Sequence, residues 1–137
     1  METEKQDKKT HKCFLCNKVK NIDKFVPRKE SRRGYRGKCK DCYNERTRYK
    51  WRQNREKILS HYGWECACCG ETIEEFLTLD HINNDGYLDK NPNGDKKSGK
   101  ELYLLVEKQG FPDKYQILCH NCNWGKKVKG ICPHQTK

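Results

Sequence analysis

Residues 116–127 read QILCHNCNWGKK, and this stretch decides how the chain folds. Cys119 and Cys122 are spaced C-x₂-C, so a tight turn can aim both thiolates at one tetrahedral metal ion. Asn123 follows at once, and Lys126 and Lys127 lie one turn further on. Gly130 and Pro133 supply the stop signals of a short helix. The stretch therefore predicts a metal-ligating turn that opens a helix carrying polar, phosphate-compatible side chains.

Two thiolates leave a structural zinc site half filled. The nearest upstream pair is Cys66 and Cys69, followed by Gly70, which permits the positive φ that such a turn needs. Between the two pairs, residues 77–81 read LTLDH. The alternation predicts a half-buried strand with Leu77 and Leu79 facing inward. Residues 115–118 predict a second strand that delivers Cys119. The expected order is C-x₂-C, a strand ending in Asp-His, an insertion, a strand, C-x₂-C-Asn and a helix. Such a unit would gather Asp80, His81 and Asn123.

These residues resemble the HNH endonuclease family, with its ββα-metal unit of phage and mobile-element type. The resemblance covers about residues 64–129, and its most specific words are LDHI at 79–82 and LCHNCNWGK at 118–126. It implies that Asp80 and Asn123 bind one catalytic Mg²⁺ or Mn²⁺ and that His81 is the general base. It also implies that DNA, duplex or branched, is hydrolysed to 5′-phosphate and 3′-hydroxyl ends. Dimerisation would decide between nicking and double-strand cutting. The family's middle Asn, which orients the catalytic loop, stands nine residues before the helix Asn; Lys114 holds that position here.

Composition bears on what can hold the fold together. Leu, Ile, Val and Phe make up only 23 of 137 residues, and the formal charge is +11. That balance is characteristic of chains that hydrophobic burial alone does not fold. Ten cysteines offer another means of folding, because eight form four C-x₂-C pairs: Cys13/Cys16, Cys39/Cys42, Cys66/Cys69 and Cys119/Cys122. Such doublets suit zinc knuckles better than a disulfide framework. Two structural Zn²⁺ are expected, one on the first two pairs and one on the last two. Each would contribute roughly 10–16 kcal/mol of apparent folding energy.

The expected fold class is small zinc-stabilised α+β. Residues 1–44 would form a polar tail and a zinc-ribbon-like four-cysteine module, with a hairpin between its cysteine pairs. Residues 45–63 would be a basic linker helix, with Tyr43, Trp51, Ile58, Leu59 and Tyr62 roughly on one stripe. Residues 64–137 would be the nuclease domain. Thr72-x-x-Glu75 and Ser98-x-x-Glu101 read as capping boxes, the second opening a helix that buries Leu102, Leu105 and Val106.

Charge is unevenly distributed. Residues 1–60 hold 20 Lys/Arg against 8 Asp/Glu, whereas residues 61–137 hold 10 against 11. Basic side chains beside a zinc unit predict phosphate contact, with Arg32, Arg33, Arg36, Arg46, Arg48, Arg52, Arg55, Lys126 and Lys127 as candidates. No apolar stretch is long enough for a membrane span. The N-terminal METEKQDKKTHK lacks the apolar centre of a signal peptide. A soluble protein of a reducing, cytoplasmic compartment is expected, which includes a host cytoplasm for a phage-encoded chain.

Three features stay open in the sequence. Cys68 sits between two expected ligands, and Cys66/Cys68 is the alternative pair. Cys132-Pro133-His134 reads either as an approach to the second zinc or as an unliganded tail. A non-catalytic two-zinc DNA-binding protein is the rival functional class. A redox protein comes third, for want of a thioredoxin-like βαβ pattern around the cysteine pairs.

Overall fold

The structure, a computed structural model, describes residues 9–97 and 99–136. Most of the expected polar tail lies outside the described residues, as does Ser98 of the second capping box. The chain divides into two compact units, residues 1–50 and residues 51–137. Among the described residues there are three α-helices and three two-stranded antiparallel sheets. None of these helices is long and apolar enough to cross a membrane.

In the first unit, β1 (Thr10–Lys12) pairs with β2 (Val19–Asn21), so the tail is already strand at Thr10. The Cys13–Cys16 knuckle lies between them, and Asn17 closes it at φ 58°. The expected hairpin is β3 (Phe25–Pro27) paired with β4 (Tyr35–Cys39). The buried centre consists of Cys13, Phe25 and Cys39, with Tyr35, Cys16 and Cys42 packed against it. A core with one fully buried aromatic ring and no aliphatic side chain buries too little apolar area to fold by itself.

Helix α1 (Lys40–Tyr62) starts five residues before the expected Glu45. The cause is local: the Cys39–Cys42 turn is itself the first turn of the helix, with Asp41 favourably placed at its N-terminus. The helix ends before Gly63, as expected. Its first residues belong to one unit and its last to the other.

In the second unit, β5 (Leu77–His81) pairs with β6 (Tyr115–Cys119), placing Asp80 opposite Gln116 and His81 opposite Tyr115. Helix α2 (Gly99–Lys108) lies between them in sequence, and α3 (His120–Lys129) follows β6 without a loop. Ile58, Leu59, Leu77, Val106 and Ile117 are each at most 1% exposed and form the centre of the core. On α2 the third buried residue is Tyr103 and not Leu105, which is half-buried. The Tyr103 hydroxyl accepts the Leu79 amide at 3.0 Å, a polar contact that leucine lacks. Nor does Thr72 cap the short 3₁₀ turn at Glu74–Phe76. That turn has no side-chain cap; Glu71 Oε1 instead accepts the amides of Thr72 and Ile73, just before it, at 2.9 Å.

Candidate functional site

The cysteine pairs meet as expected. Cys13, Cys16, Cys39 and Cys42 form one group and Cys66, Cys69, Cys119 and Cys122 another, with all sulfurs of each within 4.8 Å of one another. A tetrahedron with Zn–S near 2.3 Å has S···S edges of about 3.8 Å. The structure gives 4.0 Å for Cys16–Cys39 and 3.7 Å for Cys69–Cys119. All ten cysteines are free of disulfides. Both groups could hold structural zinc.

The backbone prepares these ligands. Burial opposes the Cys13 thiolate, yet the amides of Cys16, Cys39 and Leu15 hold its pKa down to about 6. Cys66 is likewise buried, and the amides of Cys69, Cys119 and Cys68 bring it to about 7. The fourth member of the first group behaves oppositely. Hydrogen bonding to Cys39, together with burial, pushes Cys42 up to about 12. So crowded a set of sulfurs becomes fully thiolate when a dication shares it. In the second group, Cys119 Sγ also accepts the Cys122 amide at 3.4 Å, so one residue is both candidate ligand and N-cap of α3.

Asp80, His81 and Asn123 line one cleft of about 490 Å³. Asp80 and His81 come from the end of β5, and Asn123 from the first turn of α3. Asp80 and His81 are each 8% exposed. Asp80 Oδ2 accepts Lys126 Nζ at 2.5 Å and Gln116 Nε2 at 2.8 Å. Lys126 Nζ also donates to the His81 carbonyl at 2.5 Å. Thus Lys126, grouped by sequence with the phosphate-facing cations, is a buried partner of Asp80, whereas Lys127 is exposed on the same cleft.

Sequence reasoning missed Asp89. Its Oδ2 lies 2.6 Å from His81 Nε2 and accepts the Tyr115 hydroxyl at 2.9 Å. Lys114, at the position of the family's middle Asn, donates to Asp89 Oδ1 at 3.4 Å. Burial opposes ionisation of Asp89, but hydrogen bonds from His81 and Tyr115 and the Lys114 charge hold its carboxyl below the usual range. The only signal in the sequence was an acidic residue in the loop after His81, which has no periodicity to single it out.

The basic candidates sort into two kinds. Arg32, Arg33, Arg46, Arg48 and Arg52 are exposed. Arg36 is half-buried with its guanidinium over the Tyr43 ring at 5.3 Å. Arg55 is structural: it donates to the Leu77 carbonyl at 2.9 Å and the Glu74 carbonyl at 2.5 Å, and pairs with the Glu74 carboxylate at 3.7 Å.

Fold and site together define a small α+β protein with two four-cysteine groups able to hold zinc and a polar cleft at the end of one strand pair. No family model, curated protein or solved structure matches the chain.

Proposed function

We propose that this protein is a divalent-metal-dependent endonuclease of the HNH type that hydrolyses DNA phosphodiester bonds. The observation that carries the reading is the His81 imidazole: buried on one side against Asp89 and bordering, on the same cleft, Asp80 and Asn123. An ionised carboxylate only accepts, so His81 Nε2 carries the proton and Nδ1 of the neutral ring has the free lone pair. A Cβ on Gly86 would lie 2.9 Å from that Nδ1 and 2.9 Å from Lys96 Cε, so glycine is what lets the loop pack this closely on the ring. Water reaching Nδ1 from the cleft that His81 lines would give its proton to that nitrogen as it attacks phosphorus.

Asp80 and Asn123 offer the oxygen donors that suit Mg²⁺ or Mn²⁺, with Zn²⁺ kept to the thiolates. Both hydrogen bonds to Asp80 fall on Oδ2, which leaves Oδ1 for a cation. That ion would neutralise phosphoryl charge and stabilise the leaving 3′-oxygen. Exposed arginines of the first unit and of α1 would track the DNA backbone, and Lys127 would add charge at the cleft.

One observation favours a second reading, a non-catalytic zinc protein that binds DNA. The Lys126 ammonium already neutralises the carboxylate that a catalytic cation would use. Supercoiled plasmid separates the two. Purified protein with Mg²⁺ or Mn²⁺ should relax or linearise it, and His81→Ala should lose about 10²–10⁴-fold in rate while keeping its zinc. Binding without cutting by the parent protein would select the second reading.

A further inference from the structure

The second cysteine group does not end with four sulfurs. Cys68, Cys122, Cys132 and His134 form another cluster whose donor atoms all lie within 4.8 Å of one another, and Cys122 belongs to both. His134 Nδ1 is 3.3 Å from Cys122 Sγ and 3.6 Å from Cys132 Sγ. A tetrahedral zinc with Zn–N near 2.05 Å and Zn–S near 2.3 Å sets N···S at about 3.6 Å.

We propose that the second unit holds a two-zinc cluster bridged by the Cys122 thiolate. One ion takes Cys66, Cys69, Cys119 and Cys122; the other takes Cys68, Cys122, Cys132 and His134. Two tetrahedral ions need eight ligand positions, and the site supplies seven donors. A thiolate sulfur has lone pairs enough to serve two ions, and Cys122, fully buried at 0% exposure, is the donor common to both groups.

The C-terminal segment gives an independent reason. After Gly130, which caps α3 at φ 80°, Cys132 is the single buried residue among positions 131–136. Even Ile131 is 53% exposed. Apolar burial therefore does not hold this segment down, yet it lies close against α3: a Cβ on Gly125 would meet Pro133 Cδ at 2.7 Å. A zinc ion joining Cys132 and His134 to Cys68 and Cys122 supplies the missing attachment. It ties the segment to the 66–69 turn and to α3, the helix that carries Asn123 and Lys126. The inference is independent of the nuclease reading, since it concerns only metal stoichiometry and ligation.

The 137-residue protein purified without added metal should contain three zinc ions per chain by elemental analysis, one in the first unit and two in the second. His134→Ala and Cys132→Ser should each remove one. If those variants fold poorly, ¹¹³Cd exchange into the parent decides instead. Three cadmium resonances are expected, with the Cys122 β-protons correlated to two of them. A parent with two ions, or Cys122 β-protons coupled to a single cadmium, overturns the bridged cluster.

Discussion

Asp89 Oδ2 lies 2.6 Å from His81 Nε2, so a residue in the loop after β5 fixes the ring at that strand's end. Tyr115 of β6 and Lys114 just before it hold Asp89 in place in their turn. On the proposed nuclease reading, the orienting role that the HNH family gives to its middle Asn would fall to Asp89, the carboxylate to which Lys114 donates.

Asp89→Asn should keep the full zinc content and lose about 10- to 100-fold in plasmid cleavage, the usual scale for removing an orienting partner. The folded pKa of Asp89 is depressed. The stability it contributes is therefore fully present above the unfolded value near ~3.9 and is lost as pH falls through the lower folded value. Carboxyl ¹³C NMR should find Asp89 still mostly ionised at about pH 3.9, where a free aspartate is half protonated. A midpoint above that of a free aspartate would contradict the arrangement.

Gly86→Ala is a steric test of the same ring. The new Cβ would sit 2.9 Å from His81 Nδ1 and from Lys96 Cε; the lysine end can move aside, while the ring is held by Asp89. Cleavage should drop sharply while metal content and DNA affinity stay at the parent level. An unaffected rate would place the reacting water elsewhere.

Lys126→Met leaves Asp80 as a buried carboxylate without its cation. Breaking a buried pair on one side costs about 3–5 kcal/mol. Thermal unfolding should show that loss, and millimolar Mg²⁺ should restore part of it if Asp80 belongs to a divalent site. Equal Mg²⁺ responses in parent and variant would argue for the non-catalytic reading.

The arginines of α1 should divide cleanly. Arg55→Ala removes hydrogen bonds to the Leu77 and Glu74 carbonyls and should cost about 1–3 kcal/mol of stability. Arg46→Ala, Arg48→Ala and Arg52→Ala change exposed positions and should stay within about 0.5 kcal/mol. Each of these three should weaken DNA binding and reduce the salt slope by about 0.9 per lost phosphate contact. Urea unfolding and fluorescence titration at several salt concentrations read the two effects separately.

Removing the first zinc should be a local event. Cys13→Ser should lose one ion by elemental analysis and melt the first unit, whose buried centre is mainly sulfur. Amide exchange across β5, β6 and α3 should be unchanged. Loss of protection there would mean that the two units fold together.

What the sequence determined was local. The C-x₂-C doublets fixed where the chain must turn and which thiols can meet, because two residues between ligands leave little conformational choice. Alternation in LTLDH and in residues 115–118 fixed two strands, and Gly63 and Gly130 fixed where two helices stop. The tertiary structure alone decided which side chains complete those pieces. Asp89 reaches His81 across an irregular loop, Tyr103 takes the buried place expected of Leu105, and Lys126 turns inward to Asp80. Cys122 is within reach of two sets of ligands for the same reason. Each of these is a polar or metal-directed contact between separate segments of the chain. Such contacts depend on angle and distance in three dimensions, and no spacing along the sequence encodes them.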